Sequence, residues 1–341
     1  MDKVDKMPVI ENCPGTLAPG YDTYSPLALK RVFNGKKVSH VMDFNMDDLE
    51  HSVLDENIGR LSISGVQEKL SAIVDGGRVV LTTQNIPGKY ILKPAPDNKR
   101  IQHRHQMPAN EHLTMQIAFQ VFGIKTADNA LIFFNDGESA YITKRFDIAD
   151  DVSKIPQEDF ASLARKTRDT HGVDFKYTGS YLDLANLIKE YISAWPVEME
   201  RFFRLVVFNY LFGNEDAHLK NFSVHRTADG DYVLTPAYDL LNSSIHITDD
   251  RDFALNEGLF DKQHYSDTYD RTGHPCQDDF RTFGKLIGLN KKQIDKVFAD
   301  FRTPNQAVYD LIDRSYLDDR MKRMYRRSYD ERISRFLRSD N

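Results

Sequence analysis

Asp216 and Asn221 stand five residues apart in the segment Phe208–His225, FNYLFGNEDAHLKNFSVH, and Asp239 follows eighteen residues after Asn221. A carboxylate such as Asp216 can accept the proton of a substrate hydroxyl. An amide oxygen and a second carboxylate, Asn221 and Asp239, are hard donors that suit Mg²⁺, which fills the rest of its shell with phosphate oxygens and water. Taken singly, each residue reads as a loop or cap residue, because Asp and Asn favour turns. The joint pattern, D-x-x-x-x-N followed by a short hairpin and another Asp, is the arrangement of base and metal ligands used in phosphoryl transfer.

Such side chains need rigid support, and the neighbouring sequence offers it. Arg204–Phe212 is apolar nearly all round, which predicts a buried helix ending at Gly213. That helix would hold Asn214–His218 as a polar loop on a fixed scaffold. Phe222–Arg226 and Tyr232–Thr235, joined by Thr227-Ala228-Asp229-Gly230, predict a hairpin. In an antiparallel pair the start of one strand lies beside the end of the other, so Asn221 and the Asp239 region come to the same end.

The first half of the chain is strand-rich. Ser71–Val74 and Arg78–Thr82 flank Asp75-Gly76-Gly77, a hairpin turn signal, and Tyr90–Lys93 is a short β run stopped by Pro94. Asn110–Phe122 turns helical, with Leu113, Ile117 and Val121 every four residues and Gly123 as its stop. A second hairpin, Ala130–Phe134 with Ser139–Thr143, turns at Asn135-Asp136-Gly137. From Gln157 onward most segments read as helices: Phe160–Lys166, Leu182–Ser193, Glu198–Phe212, Lys291–Phe301 and Ala307–Ile312. Strands first and helices afterwards predict an α+β, two-lobed chain with its switch near residue 146.

Two further parts of a phosphoryl-transfer site have candidates in the first half. Leu61–Lys69, LSISGVQEK, precedes the first hairpin, and small residues let backbone N–H groups approach phosphates. With one internal glycine it is a weak glycine-rich loop. Lys93 could reach the α- and β-phosphates, and Glu111 could orient it; a solvated surface charge is the plain alternative for each.

The 341 residues suggest about two domains. A net charge of −6 removes the simple electrostatic case for a dedicated nucleic-acid binder. The richest apolar run, Leu205–Phe212, is interrupted by Asn209 and is far too short to span a bilayer. The first ten residues lack the apolar core of a secretory signal, and two cysteines, Cys13 and Cys276, make neither a disulfide framework nor a four-ligand zinc site. A cytoplasmic protein with no membrane partner is the expectation.

SISGVQEKLS, ILKP, NEH, ITKRFD, GNEDAHLKNFSV and PAYDLLNS occur in this order. Together they resemble the HipA family of serine/threonine kinases, the toxin components of bacterial toxin–antitoxin modules, over roughly residues 58–340. The resemblance implies a protein-kinase-like fold of α+β class, with a strand-rich N-lobe and a mostly helical C-lobe, that uses ATP and Mg²⁺. Residues 1–57 would form an N-terminal segment, 58–145 the N-lobe and 146–341 the C-lobe. By the same resemblance Asp216 is the catalytic base, and Asn221 and Asp239 are the metal ligands. Lys93 is the phosphate-binding lysine, and Ser64, Gly65, Val66, Gln67, Glu68 and Lys69 form the phosphate loop. Lys144, Arg145 and Phe146 are the hinge against adenine, with further nucleotide contacts from His218, Leu219, Lys220 and Asn221.

Ser62 matches the family's autophosphorylated serine, and Ser64 gives the pair of serines carried by the shorter HipT type. A phosphate of about −1.5 to −2 charge there would repel ATP. The short N-terminal part also looks like HipT, which implies a HipS-like small protein as well as a HipB-like helix-turn-helix antitoxin, with DNA contacted through the antitoxin. The implied substrate is an aminoacyl-tRNA synthetase. Two rival functions stand beside this one: a catalytically weak binding module of an antitoxin–operator complex, and a small-molecule kinase. Cys13 reads as no metal site, and His103 and His105 as solvated surface with substrate or phosphate contact as the alternative. Asp249–Pro275 reads as a loop that could face substrate, and Arg320–Arg338 as a basic amphipathic closing helix with an acidic partner or tRNA contact as the alternative.

Overall fold

The structure is a computed structural model that describes residues 7–48, 68–82, 88–149, 153–247 and 251–339. Its helices are α1 (Pro26–Phe33), α2 (Met107–Gln120), α3 (Phe160–Leu163), α4 (Arg168–His171), α5 (Tyr181–Tyr191), α6 (Trp195–Leu211), α7 (Asp267–Thr272), α8 (Gln277–Leu286), α9 (Lys291–Ala299), α10 (Gln306–Arg314) and α11 (Asp319–Phe336). Its strands are β1 (Leu70–Asp75), β2 (Arg78–Leu81), β3 (Tyr90–Lys93), β4 (Asn129–Phe133), β5 (Ser139–Lys144), β6 (Gln157–Asp159), β7 (Ser223–Arg226) and β8 (Tyr232–Leu234). The chain divides into two compact units: Met1–Gln116, Ala127–Lys154 and Asp310–Lys322 make the first, and Ile117–Thr126, Ile155–Tyr309 and Arg323–Asn341 the second.

The first unit is built on an antiparallel sheet ordered β2-β1-β3-β5-β4. The β1–β2 turn requires its glycines, since Gly76 and Gly77 have φ of 53° and 79°, a region closed to most side chains. Alternate residues, Leu70 and Ala72, Tyr90 and Leu92, Ala130 and Ile132, Ala140 and Ile142, share a core with Ala28, Val32 and Phe33 of α1. That period of two follows from strand geometry. Ser25 caps α1 by accepting from the Ala28 amide at 3.2 Å, and Pro26 starts the helix where its missing N–H costs nothing.

Helix α2 begins at Met107, three residues before its expected start, and is buried on nearly every side from Ala109 to Ala118. Two of its buried polar groups bond within the unit, while His112 Nε2 has no hydrogen-bond partner among the described residues. Thr114 donates back to the Asn110 carbonyl at 2.9 Å, and the Gln116 amide donates to Asn129 Oδ1 at 3.0 Å.

In the second unit α6 is the central element, as its apolar circumference predicts. Phe202 packs edge-on against Phe222, and Phe203 lies against Phe283 of α8 and Phe298 of α9. Each such aromatic pair adds about 0.5–1.5 kcal/mol beyond the area it buries. The helix ends at Gly213, φ 59°, where a Cβ would sit 2.6 Å from Ser244 Oγ and 2.7 Å from Asn242 Oδ1. Both the backbone angle and the space there require glycine.

A three-stranded antiparallel sheet, β6-β7-β8, stands beside α6. Strand β6 differs from the expected helical start: Gln157–Asp159 pairs with Ser223–His225 instead. Asp159 then caps α3, accepting from the Ser162 amide at 2.9 Å. The helix is shorter than Phe160–Lys166, because Arg165 turns into the left-handed region at φ 55°. The segment expected as a loop from Asp249 to Pro275 carries α7, which Ser266 caps and Gly273 ends.

Candidate active site

The loop after α6 is held from several sides within the second unit. Asn214 accepts from the Asp216 amide at 3.3 Å through Oδ1. Its Nδ2 donates to Asn209 Oδ1 of α6 at 3.0 Å and to the Asp239 carbonyl at 3.4 Å. The Asn221 Nδ2 donates to the Asp216 carbonyl at 3.1 Å, closing the loop on itself. Tyr238 donates to the Lys220 carbonyl at 2.8 Å and its hydroxyl meets Ser223 Oγ at 2.5 Å, which ties the chain after β8 to the start of β7. Asp216, Asn221 and Asp239 are therefore brought together, as the hairpin geometry predicts.

Asp216 keeps 46% of its side chain exposed, so it is open to a substrate. The Tyr177 phenol donates to its Oδ1 at 2.7 Å. Burial, and then the Asp216 charge, push the Tyr177 pKa well above its ordinary value, so the phenol stays a donor. His218 Nε2 lies 4.0 Å from Asp216 Oδ1, beyond hydrogen-bond reach. Burial lowers the His218 pKa to about 4 against a weaker opposing pull from Asp216, so the ring is neutral at pH 7 and the two groups form no ion pair. Its Nδ1 is buried with no hydrogen-bond partner among the described residues. A buried polar atom in that condition calls for a partner from water or ligand.

The donor set fits Mg²⁺. Because the Asn221 Nδ2 is committed to the Asp216 carbonyl, its amide oxygen is the group left to coordinate. Asp239 adds a carboxylate from a backbone at φ 56°, a conformation Asp tolerates better than most residues and one that marks stored strain. Among the described residues no group of three or more His, Cys, Asp or Glu side chains could hold a metal ion. A single carboxylate with an amide matches an ion that keeps water and phosphate in its shell.

The first unit holds the remaining candidates. Lys93 Nζ donates to Glu111 Oε1 at 2.6 Å, with both side chains 5% exposed, and lies 5.2 Å from the Tyr141 ring centroid. The solvated-charge alternative therefore fails for both. Lys144 ends β5 and donates to Asn34 Oδ1 at 2.6 Å; Arg145 makes a two-pronged pair with Asp147 at 2.9 and 2.6 Å, and Phe146 is half-buried. Glu68 and Lys69 lead into β1, and burial raises the Glu68 pKa. Ser62, Ser64, Gly65, Val66 and Gln67 lie outside the described residues. In the second unit Leu219 is buried, and Lys220 pairs with Asp159 at 2.7 Å.

Three contributors escaped the sequence reading. Asn214 stands in the expected polar loop, where its type alone points to no particular role. Tyr177, on a short 3-10 turn, reaches Asp216 across 39 residues. Arg332, on the basic closing helix, reaches Glu215 at 2.5 Å and Asp252 at 2.6 Å. The apolar stripe of that helix signalled packing, and nothing local signalled a buried arginine within it.

The sequence profile of the HipA-like C-terminal domain matches residues 61–308. A Haemophilus influenzae protein named "Putative kinase" is 29% identical over 270 residues, covering 75% of this chain and 76% of its own length. The serine/threonine-protein kinase toxin HipA of Shewanella oneidensis is 28% identical over 209 residues, covering 55% of this chain and 44% of that one. Among solved structures, one described as a Shewanella oneidensis complex of HipA, HipB and operator DNA superposes with a TM-score of 0.60 at 22% identity, covering 86% of this chain and 67% of that one. That likeness establishes the fold, an α+β architecture of HipA type.

Proposed function

We propose that this chain, which belongs to the HipA-like C-terminal domain family, is an ATP-dependent serine/threonine protein kinase and the toxin of a toxin–antitoxin module. The observation that carries the reading is the bonded set in the second unit, where Asn214 and Asn221 join the Asp216 loop to the backbone of Asp239. A half-exposed carboxylate beside two oxygen donors for a metal is what phosphoryl transfer to a hydroxyl needs.

In this mechanism Asp216 orients the acceptor hydroxyl and takes its proton. The acceptor oxygen bonds to the γ-phosphorus, the bond from that phosphorus to the β,γ-bridging oxygen breaks, and ADP leaves with the electron pair. Mg²⁺, held by Asn221 and Asp239, would neutralise charge on the phosphate oxygens. Lys93, kept in place by Glu111, is the proposed binder of the α- and β-phosphates, and residues 64–69 are the proposed phosphate loop. Lys144–Phe146 holds adenine, and His218–Asn221 adds nucleotide contacts; the buried Nδ1 of His218 supports a ligand there. Catalysis is then chiefly positioning and charge neutralisation.

Phosphate on Ser62 or Ser64 would switch the kinase off by repelling ATP. The proposed target is an aminoacyl-tRNA synthetase, whose phosphorylation would stop translation. A HipB-like antitoxin is the proposed DNA-binding partner, in keeping with the complex described for the Shewanella structure. A HipS-like small protein is the second partner.

Intact mass with and without Mg-ATP, run beside Asp216→Ala, tests the reading. A gain of one or two phosphates at Ser62 or Ser64, absent in the variant, is expected. No gain from an unmodified protein that binds ATP would make the chain a kinase-fold binding partner in an antitoxin–operator complex.

A further inference from the structure

Tyr177 faces two ways. Its phenol is bonded to Asp216, its ring stands edge-on to His218 at 5.2 Å, and it also lines a cavity of about 770 Å³. The other residues lining that cavity fall between Arg251 and Pro275. None of Asp216, Asn221 and Asp239 lines it, so it is separate from the metal donors and is linked to Asp216 through the Tyr177 phenol. A cavity of this size exceeds what one serine side chain fills and lies within the roughly 300–1,000 Å³ of ligand-binding pockets.

The wall is built rather than slack. The Asn256 amide donates to the Tyr177 carbonyl at 2.9 Å and the Glu257 amide to the Gly179 carbonyl at 3.1 Å, a strand-like pairing between the two sides. The Gly179 amide returns a bond to Asn256 Oδ1 at 2.8 Å. Tyr265 accepts from the Leu259 amide at 3.0 Å and stacks on Tyr269 with centroids 3.9 Å apart. Those rings give the cavity an apolar face. Its rim carries Glu257 and Lys262, both exposed and neither in an ion pair among the described residues.

We infer that this cavity is the docking groove of the polypeptide acceptor, entered so that the acceptor hydroxyl lies at the Tyr177 end beside Asp216. The inference rests on the kinase reading above and adds what that reading lacks, a recognition surface. The Tyr265–Tyr269 face takes an apolar side chain near the acceptor serine. Lys262 and Glu257 take an acidic and a basic residue of the same segment. A protein chain is the occupant that needs all three features at once, since a small alcohol needs only the Asp216 end.

The test uses the full chain with Mg-ATP and a positional-scanning library of serine peptides, comparing wild type with Tyr269→Ala, Lys262→Glu and Glu257→Lys. ATP affinity is measured in parallel. Wild type should select an apolar residue at a fixed offset from serine, and Tyr269→Ala should lose on the order of tenfold of that selectivity, as expected when a hydrophobic contact is removed. Lys262→Glu should exchange an acidic preference for a basic one, and Glu257→Lys the reverse, with ATP affinity unchanged. Both rim residues are exposed, so these variants retain the fold. Identical selectivity across all four proteins, with transfer intact, would overturn the groove and leave the kinase standing. No transfer by wild type that binds ATP would remove the kinase reading and the groove together.

Discussion

Arg332 donates at 2.5 Å to Oε1 of Glu215, the residue immediately before Asp216. The same guanidinium donates to Asp252 at 2.6 Å and to the Arg251 carbonyl at 2.8 Å, and it lies over the Tyr210 ring. One side chain thus registers the proposed catalytic loop against the proposed acceptor wall. The Arg332 and Glu215 side chains are 5% exposed and Asp252 is 12% exposed, so removing the arginine takes a buried guanidinium from two carboxylates, of which Asp252 keeps His274 at 2.9 Å and Arg335 at 3.5 Å. Arg332→Leu should destabilise the protein by about 3–5 kcal/mol in urea unfolding. An unchanged midpoint would show that the network is ornamental.

Asp216→Ala separates chemistry from stability. The side chain is nearly half exposed and the loop is held mainly by Asn214 and Asn221, so the urea midpoint should stay close to wild type. Phosphate transfer, followed with labelled ATP, should fall by roughly 10²–10⁴, the usual share of a general base. A variant with full activity would remove Asp216 from the mechanism.

The Lys93–Glu111 pair behaves differently because both partners are closed off from water. Lys93→Met takes the lysine from a buried carboxylate and should cost on the order of 3 kcal/mol, whereas adding Glu111→Leu should recover most of that loss. Transfer should remain lost in the double variant, since stability and phosphate binding are restored by different groups. A double-mutant cycle in urea with no coupling would contradict the buried pair.

His112 gives a pH dependence of known sign. Burial lowers its pKa from 6.5 to about 3. Between those values the unfolded chain binds a proton that the folded chain refuses, so this contribution to stability is present above about pH 6.5 and is lost as pH falls. The slope is about 1.4 kcal/mol per pH unit for one such group. Unfolding free energies from pH 7 to pH 5 should follow it, and His112→Gln should flatten the curve; parallel curves for the two proteins would refute the assignment.

The hairpins, α6 and the Asp216 loop were legible because their signals are local: paired glycines at β1–β2, an apolar circumference ending in Gly213, and turn residues at Thr227–Gly230. Strand β6 was not, since Gln157–Asp159 is three residues long and finds its partner in β7 more than sixty residues later. Spacing in α2 suggested one apolar stripe, but Asn110, Glu111, His112, Thr114 and Gln116 are buried too, made tolerable by bonds such as Gln116–Asn129 that no pattern foretells. Tyr177 and Arg332 belong to the same class. Their meaning lies in a partner brought near by the fold, and a tyrosine or arginine considered alone is silent about it.

The Glu215–Arg332 contact spans 117 residues, and this has a consequence for synthesis. As the chain leaves the ribosome, α6, the Asp216 loop and the β7–β8 hairpin emerge well before α11. Through that interval Glu215 and Asp252 have no guanidinium between them, and the loop is tethered only by its neighbours. A helix translated well after the loop therefore locks the site, so nascent chains and chains terminated before α11 carry every Asp216-loop residue without the clamp that holds them in register.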